Sequence, residues 1–432
     1  MSRNVVIVEG LRTPFAKAGT DLKGIHPADL GEVALRELIA KTNLDTDSVD
    51  EVIVGNTGTP SDAVNIGRVV ALRAGIPLKT SAYTVHRNCA SALESITSGY
   101  EKIKSGTMDT VLTGGTESMS QLPLIYNKKT TAWFAQMMTK KTAMQKIMHL
   151  KNLSLGALLN PRISVVEGLT DPFVGINMGM TAEILAKEFG LSREQQDIYA
   201  TMSHNRAVAA QESGALKDEI TPLFIPPKFK KVVHQDIGPR AGQSVEKLAK
   251  LRPYFDRKYG SITVGNACPL TDGAAMMLLM EEEKAKSLGY KPLARIKGYA
   301  FAGLEPERMG LGPVYSTPIA LKRAGVEFKD LDLIELNEAF AAQVLACNKA
   351  FASDEFCQKK LGLSKALGEV DIDKLNINGG AIAIGHPVGA TGTRLVLTLA
   401  KALIAQKKKM GLATLCIGGG QGGAIVIENM NV

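Results

Sequence analysis

The sequence has 432 residues, of which 45% are hydrophobic and 22% are charged. This balance is typical of a globular protein and excludes a disordered, collagen-like or coiled-coil chain, and the length predicts roughly three domains at about 150 residues each. The net charge of +8 indicates an anionic partner, but charge alone does not choose among nucleic acid, a membrane surface and a phosphate-bearing substrate.

Cysteine usage and hydropathy indicate a reducing, aqueous setting. The five cysteines are odd in number and not closely paired, so they do not form a disulfide framework, and reduced thiols favour a cytoplasmic protein. The apolar run at 5–8 is too short for a signal peptide. No apolar stretch reaches the ~20 residues that a membrane helix needs.

Short apolar runs alternate with helical patterns along the chain. Buried strands are predicted from runs bounded by polar residues or glycine, namely 5–8, 52–54, 110–113, 333–336 and 413–417. Two helices are predicted from apolar residues three or four positions apart, namely Leu93, Ile96, Tyr100 and Ile103 in one and Leu395, Leu399 and Leu403 in the other. This alternation predicts a layered α/β fold.

A weak internal repeat predicts two similar α/β halves. Asp50 precedes the strand at 52–54 as Asp332 precedes the strand at 333–336, although any α/β chain can produce such a likeness. The pattern loosens near Ser120 and prolines interrupt it, which predicts an inserted loop domain seated on the first half. The predicted boundaries are 1–119 with 263–290 for the first half, 120–262 for the loop domain and 291–432 for the second half.

Cys89 lies between a strand-like run and the first predicted helix. A thiol at a helix N-terminus is close to the positive end of the helix dipole, which favours the thiolate. A sharp strand-to-helix turn would also project the side chain from the edge of the sheet. The alternative is a buried structural cysteine, and the local sequence does not separate the two.

His386 lies in a glycine-dense run that includes Gly385, Gly389 and Gly392, just before the second predicted helix. Glycines allow backbone and ligand to approach closely, which a structural histidine does not need. Of the six histidines, His386 is therefore the one predicted to be functional.

Cys416 ends a predicted strand and precedes the glycine loop at 418–423. The loop formally matches G-x-G-x-x-G, but that fingerprint must open a helix, whereas 424–427 is predicted to be a strand. Dinucleotide binding is therefore rejected. The loop can instead offer backbone N–H groups to an oxyanion, and Cys416 is either reactive or a packed thiol.

Asn337 follows a predicted strand and opens a helical stretch. It either caps that helix or points its amide at a substrate or water, and both interpretations stay open. C-x-x-C, H-E-x-x-H and P-loop spacings are missing from the sequence, so no metal or P-loop nucleotide site is predicted.

Together these segments resemble the thiolase family. The N-C-A-S, N-E-A-F, G-H-P-x-G-A-T-G and C-x-G-G-G motifs occur in the order and spacing of thiolases. Because of its long insertion, the chain is most similar to the thiolase subunit of the bacterial fatty-acid β-oxidation complex. The resemblance implies duplicated halves stacked as five α/β/α/β/α layers, a loop domain over the active site, and a homodimer or tetramer.

The resemblance also implies a reaction, in which 3-oxoacyl-CoA is cleaved by CoA, the co-substrate, with no metal and no permanently bound cofactor. Cys89 would accept the acyl group and His386 would activate its thiol. Cys416 would protonate the departing enolate and then deprotonate CoA, which requires a pKa near neutrality. Backbone N–H groups of Cys89 and Gly418 would form one oxyanion hole, and Asn337 would hold a water beside His386 in the other.

At three positions the resemblance leaves the subgroup or the role of the residue open. Asn337 stands where thiolases of the complex usually carry histidine, which leaves the acyl chain-length preference open. Cys268 stands where many relatives have serine near the pantetheine arm, and it either contacts substrate or is a packed thiol. Arg240 lies in the region that contacts the CoA nucleotide in relatives, or is a solvated surface arginine. CoA phosphates provide an anionic partner without nucleic acid.

The stretch 128–151 is cationic and amphipathic, with Trp133 and Phe134 among several lysines. This pattern predicts that the stretch docks on an anionic membrane surface or on a hydratase/dehydrogenase partner subunit. The alternative is a solvated lid over the acyl tunnel.

Three other functions are compatible with parts of this sequence. An acetyl-CoA C-acetyltransferase that makes or cleaves acetoacetyl-CoA uses the same chemistry, and the sequence does not set its direction. A non-catalytic acyl-CoA or lipid-binding protein of this fold is disfavoured because the motifs retain their reactive side chains. A ketosynthase-type condensing enzyme would carry a second histidine in place of Cys416.

Overall fold

The structure is a computed structural model that describes residues 3–432. Its strands are β1 (Val5–Arg12), β2 (Ala16–Lys17), β3 (Glu51–Gly55), β4 (Ser81–Val85), β5 (Thr110–Ser118), β6 (Leu124–Ile125), β7 (Arg162–Ile163), β8 (Leu223–Phe224), β9 (Val232–Val233), β10 (Thr271–Glu281), β11 (Ala294–Gly303), β12 (Leu333–Leu336), β13 (Met410–Ile417) and β14 (Gln421–Asn429). Its α-helices are α1 (Pro27–Thr42), α2 (Ile66–Arg73), α3 (Ser91–Lys104), α4 (Lys128–Thr139), α5 (Ala143–Leu150), α6 (Leu155–Leu158), α7 (Ser164–Gly168), α8 (Met178–Glu188), α9 (Arg193–Ser213), α10 (Val245–Ala249), α11 (Glu282–Ser287), α12 (Gly312–Ala324), α13 (Ala341–Phe351), α14 (Asp354–Leu361), α15 (Ala381–Ile384) and α16 (Thr391–Ala405).

The large sheet consists of two parts joined at one corner. Its strand order is β12-β13-β14-β11-β1-β10-β5-β3-β4, with β2 added beside β10. Strands β1 and β11 pair only through Val6 with Arg295 and Ile7 with Ala294. The two parts can therefore diverge and leave room for helices between them.

Five layers result from this arrangement. Helices α3 and α16 contact each other and lie between the two parts of the sheet, where their buried Leu93 and Leu399 share one core with Ile53 of β3 and Ile425 of β14. Helices α1 and α2 cover the outer face of the first part, and α12 and α13 cover that of the second. The predicted α/β/α/β/α stacking of two halves is confirmed.

The internal repeat has a structural counterpart in each half. The Asp50 carboxylate accepts hydrogen bonds from the N–H groups of Asp109, at 2.7 Å, and Thr110, at 2.9 Å. The Asp332 carboxylate accepts from the N–H groups of Lys409 and Met410, both at 2.9 Å. In both halves an aspartate before one parallel strand thus holds the start of the neighbouring strand.

The inserted segment contacts the second half as well as the first half, on which it is predicted to be seated. Leu185 of α8 and Tyr199 of α9 share a core with Val344 of α13 in the second half. In the first half, Arg12 of β1 pairs with Glu219 of the insertion at 2.7 Å. The insertion therefore stabilises the seam between the halves, where the site lies.

Helix α16 shows why apolar content alone does not indicate a membrane segment. It has 15 residues, and its apolar side chains are buried between the two parts of the sheet. Among residues 3–432, no helix is both long and apolar enough to span a bilayer.

Candidate active site

Cys89 is presented by a tight turn between β4 and α3. Strand β4 ends at Val85 and helix α3 begins at Ser91, and Asn88 adopts a left-handed conformation with φ of 45°. The Asn88 amide donates to the Gly418 carbonyl at 2.8 Å, which ties this turn to the second half. The predicted sharp strand-to-helix turn is confirmed, and it leaves the Cys89 side chain half-buried.

The electrostatics of Cys89 differ from the sequence prediction. Burial raises the pKa of the Cys89 thiol, hydrogen bonds from the Gly418 and Cys89 N–H groups act in the opposite direction, and the Glu117 carboxylate raises it further. The pKa of the thiol is therefore raised and not lowered as expected, because burial outweighs these two hydrogen bonds. The free site holds a neutral thiol that must lose its proton during the reaction.

The Gly418 loop approaches that thiol from the second half. It is the turn between β13 and β14, with φ of 89° at Gly419 and 77° at Gly420, so it forms a hairpin and not the start of a helix. The strand predicted at 424–427 is thereby confirmed. Because the Gly418 and Cys89 N–H groups both point at the Cys89 sulfur, they can also stabilise negative charge that develops beside it.

His386 lies in the short connection between α15 and α16. Its backbone N–H donates to Thr271 Oγ1 at 3.1 Å, and its Nδ1 lies 2.6 Å from Thr391 Oγ1. Burial, with a contribution from the Arg394 charge, lowers the pKa of His386 to about 3. The ring is therefore neutral near pH 7. Its Nε2 is buried without a hydrogen-bond partner among residues 3–432 and can exchange a proton with a ligand.

Asn337 is not a helix cap. Helix α13 begins four residues later at Ala341, with the extended Phe340 in the capping position. Both Oδ1 and Nδ2 of Asn337 are buried with no partner within the described range 3–432. A buried polar group without a partner costs about 1–3 kcal/mol, so this amide is suited to bind a substrate oxygen or a water.

Two further thiols lie near Cys89. Cys416, at the end of β13, is 1% exposed, and burial followed by repulsion from Cys89, Cys347 and Cys268 raises its pKa well above the usual range. The expected pKa near neutrality is therefore wrong. Burial, followed by Cys89, raises the pKa of Cys268 to about 12. Both thiols are proton donors in the free site.

Arg240 is exposed on the inserted segment. Its backbone N–H donates to Nδ1 of His204 at 3.3 Å, and burial followed by the Arg240 charge lowers the pKa of His204 to about 4. Two residues earlier, Gly238 packs so tightly on the Ala383 carbonyl that a side chain would collide with it. Arg240 therefore lies on the insertion beside the helix that precedes His386.

Both halves of the chain match domains of one protein family. Residues 5–283 match the family "Thiolase, N-terminal domain", and residues 290–429 match "Thiolase, C-terminal domain". The chain belongs to the thiolase family. Thiolases are acyltransferases that use CoA as a substrate, and this thiolase is accordingly an enzyme.

Individual relatives are similar to this thiolase in sequence and structure over almost the whole chain. This thiolase is 42% identical to the 3-ketoacyl-CoA thiolase of Serratia proteamaculans and 41% identical to that of Shewanella loihica, each over 98% of this chain and 96% of the relative. The crystal structure of Bacillus anthracis acetyl-CoA acetyltransferase is 38% identical with a TM-score of 0.86, covering 99% of both chains. Human mitochondrial 3-ketoacyl-CoA thiolase in complex with CoA is 37% identical with a TM-score of 0.84, covering 99% of this chain and 98% of the human one.

Sequence reasoning missed Glu338, which stands beside Asn337 in the N-E-A-F motif of this thiolase. Its buried carboxylate accepts hydrogen bonds from Tyr199 Oη at 3.0 Å, Ser203 Oγ at 2.6 Å and the Ile382 N–H at 3.1 Å. It thus connects helix α9 of the insertion to α15, just before His386. Its position in a recognised motif was the available signal.

The described residues contain no cluster of metal-binding side chains. Among residues 3–432, no group of three or more histidine, cysteine, aspartate or glutamate side chains could hold a metal ion. The groups that lie together are the thiols of Cys89, Cys268 and Cys416 and the backbone N–H groups of Cys89 and Gly418, which can transfer protons and stabilise oxyanions.

Proposed function

We propose that this thiolase cleaves 3-oxoacyl-CoA with CoA, giving acetyl-CoA and an acyl-CoA shortened by two carbons. The observation that carries the proposal is the meeting of Cys89 from one half with Gly418 and Cys416 from the other. The names of the Serratia and Shewanella relatives support the same substrate class. Cys89, His386, Cys416, Asn337 and Gly418 are proposed as the catalytic groups.

In the first half-reaction the Cys89 sulfur attacks the C3 carbonyl carbon, and His386 Nε2 takes the thiol proton. The Gly418 and Cys89 N–H groups donate hydrogen bonds to the developing oxyanion. The C2–C3 bond then breaks, and the electron pair left on C2 takes a proton from Cys416. Acetyl-CoA leaves, and the shortened acyl group remains on Cys89 as a thioester.

In the second half-reaction the Cys416 thiolate takes the thiol proton of CoA. The CoA sulfur attacks the thioester, the bond from carbon to Cys89 sulfur breaks, and Cys89 recovers its proton from His386. Because burial disfavours isolated ions at this site, each proton transfer must accompany the formation of the opposite charge. The raised thiol pKa values and the lowered pKa of His386 are consistent with such coupled steps.

CoA is proposed as co-substrate, without a permanently bound cofactor. The insertion at 120–262 is proposed to cover it, with Arg240 contacting its phosphates and Cys268 its pantetheine arm. Arg240 is exposed and Cys268 borders the thiols, which supports these two roles. The domain boundaries predicted from the sequence, with the insertion at 120–262 between the two parts of the first half, are proposed together with these roles.

Acetoacetyl-CoA formation or cleavage is the second candidate. The Bacillus anthracis structure carries the name acetyl-CoA acetyltransferase, and the two reactions share every chemical step. The presence of asparagine at position 337 does not distinguish the two reactions.

The experiment that tests the function is a product assay over 3-oxoacyl-CoA substrates of increasing chain length. With CoA present, we expect equal amounts of acetyl-CoA and shortened acyl-CoA. Without CoA, we expect a burst of about one acetyl-CoA per subunit and an acyl mass on the peptide that contains Cys89, because the acyl-enzyme forms but cannot be released.

The outcomes of this assay separate the candidates. Activity restricted to acetoacetyl-CoA would favour the acetyltransferase. Tight binding of acyl-CoA without turnover at any chain length would leave only the non-catalytic alternative. Acylation of Cys268 or Cys347 would contradict the assignment of Cys89.

We propose that the enzyme is a homodimer or tetramer that works in the cytoplasm. Strand β4 pairs with β3 on one side only, and Tyr83, Thr84 and Val85 on it are half-exposed. An open edge strand of this kind is a template for pairing with another chain. All five cysteines are free, which supports a reducing compartment.

We propose that the loop surface, defined as residues 124–166, docks on an anionic lipid surface. The stretch from Ser118 to Val166 contains basic residues but neither aspartate nor glutamate. Its lysines form no ion pair with any residue between 3 and 432. Trp133 stacks on His149 with ring centroids 5.2 Å apart, so helices α4 and α5 pack on each other.

Large apolar side chains lie exposed among these lysines. Exposed fractions reach 87% at Met138, 67% at Met144, 61% at Met148 and 58% at Ile147. Exposed apolar side chains combined with unpaired cations match a membrane surface of anionic lipid. A hydratase/dehydrogenase partner subunit is the competing occupant.

We expect the enzyme to bind vesicles of phosphatidylcholine with 30% phosphatidylglycerol, and to be released as salt rises from about 50 to 300 mM. A variant with Lys128, Lys129, Lys140 and Lys141 changed to glutamate should lose this binding, since each lysine contributes about 1 kcal/mol near such a surface. Cosedimentation measures both effects.

The matched control reverses the same number of exposed lysines elsewhere, at Lys291, Lys322, Lys365 and Lys408. It should keep vesicle binding and catalytic activity. Equal loss in both variants would indicate a general charge effect, and no wild-type binding at low salt would leave the protein partner as the occupant.

A further inference from the structure

Glu117 is a buried acid that the reaction scheme does not use. It lies near the end of β5 and is 1% exposed. One carboxylate oxygen accepts from the N–H of Thr57 at 3.1 Å and of Gly389 at 2.9 Å, and also from the Thr57 hydroxyl. The other accepts from Asn56 Nδ2 at 3.2 Å and the Gly58 N–H at 2.9 Å.

These donors come from the two halves of the molecule. Gly389 belongs to the second half and follows His386 by three residues, and the Thr391 hydroxyl beyond it contacts the His386 ring at 2.6 Å. Asn56 belongs to the first half, and its N–H donates to the carbonyl of Val85 at 3.2 Å, where the turn that carries Cys89 begins. Glu117 therefore contacts the supports of both reacting side chains.

The packing around this carboxylate leaves no space for adjustment. A Cβ at Gly389 would lie 2.7 Å from Glu117 Oε2, and a Cβ at Gly115 would collide with the Gly389 carbonyl oxygen. Burial raises the pKa of the Glu117 carboxyl, and hydrogen bonds from the neutral donors of Thr57, Gly58 and Gly389 oppose this shift. Burying a carboxylate in this way is costly, and a structural contact between the halves could be made by apolar side chains instead.

We propose that Glu117 is a positioning residue, whose carboxylate holds the His386 loop of the second half at a fixed distance from the Cys89 turn of the first. A displacement of about 1 Å between such groups can cost on the order of 10² in rate. This inference rests on the proposed thiolytic function.

The decisive experiment compares Glu117→Gln, which keeps the size of the side chain but removes its charge, with Glu117→Asp, which keeps the charge but not the reach. We expect both to lower kcat for thiolysis by about 10²-fold, with KM for 3-oxoacyl-CoA and CoA changed by less than about threefold. The loss falls on kcat because the binding surfaces do not include Glu117.

The pH dependence of Cys89 alkylation by iodoacetamide separates charge from position. Only the thiolate reacts, and burial raises the pKa of the Cys89 thiol, so the wild-type midpoint should lie above the ~8.5 of a free thiol. The other titratable or charged groups around this turn are Cys268, Cys416, His86, Arg87 and Glu94, the last two paired with each other. Removing the Glu117 charge should move the midpoint down in Glu117→Gln and leave it unchanged in Glu117→Asp.

A matched control is available on the same strand. Asp50 holds the opposite end of β5 through two backbone N–H groups, so Asp50→Asn should reduce stability but keep kcat within about twofold. If Glu117→Gln does not fold, Thr57→Val removes one donor at nearly constant volume and should lower kcat about three- to tenfold.

The possible results are distinguishable. Folded Glu117 variants with wild-type kcat, or a kcat loss matched by Asp50→Asn, would overturn the positioning role. A wild-type enzyme without thiolysis would instead contradict the proposed function, whereas the alkylation profiles would still report the effect of Glu117 on Cys89.

Discussion

Replacing Cys89 by serine is expected to lower kcat for thiolysis by a factor on the order of 10⁴–10⁶, the range seen when an enzyme loses its nucleophile. A hydroxyl is a far weaker acid than a thiol, and His386, whose pKa is lowered to about 3, is too weak a base to ionise it. KM for acyl-CoA should change little, because one sulfur contributes little to binding. Stopped-flow turnover and the acetyl-CoA burst measure the effect.

A matched cysteine variant controls for general damage from a sulfur-to-oxygen exchange. Cys357 is buried in α14, away from the other thiols, and its Sγ donates to the Ala350 carbonyl at 3.5 Å. Serine can donate the same hydrogen bond, so Cys357→Ser should keep kcat within about threefold. Thiolysis by Cys89→Ser above one-hundredth of the wild-type rate would show that another group carries the acyl intermediate.

Activation of Cys89 depends on coupling between charges and not on a resting thiolate. Burial raises the pKa values of the thiols and lowers that of the imidazole, so Cys89, Cys416 and His386 are all neutral in the free site near pH 7. An imidazolium at His386 becomes favourable only when an oxyanion forms nearby. A site of this kind suppresses side reactions of a free thiolate and reserves its reactivity for a bound carbonyl substrate.

The predicted fold agreed with the structure where the sequence carried local patterns. Apolar runs identified the strands that became β1, β3, β12 and β13, and the repeated aspartate before β3 and β12 indicated the duplication. The strand predicted at 110–113 continues to Ser118, because its last residues are polar and glycine-rich yet buried by packing against Gly389. Patterns within one segment do not report such distant contacts.

The candidate site shows the same limit. Cys89 and His386 were predicted from neighbouring residues, but their pKa values depend on burial by both halves, so the thiolate prediction failed. Of the two interpretations that the sequence left open for Asn337, the helix cap is excluded because Phe340 is extended and the helix begins only at Ala341. Glu117 was missed because its donors lie 60 and 272 positions away along the chain.

Replacing Arg12 by methionine is expected to lower the free energy of unfolding by about 3–5 kcal/mol. Arg12 is fully buried, and its guanidinium donates to Glu219 at 2.7 Å and to both oxygens of Asp236 at 2.6 and 2.8 Å. Burial by itself would lower the pKa of Arg12, but attraction to Asp236 and Glu219 raises it overall. Methionine fills similar space and leaves two buried carboxylates without their cation.

Urea unfolding followed by circular dichroism measures this loss, and a surface ion pair provides the control. Arg308 binds Glu188, with side chains 38% and 35% exposed, so Arg308→Met should cost no more than about 1 kcal/mol. Equal losses in the two variants would show that the buried cluster does not hold the insertion to β1.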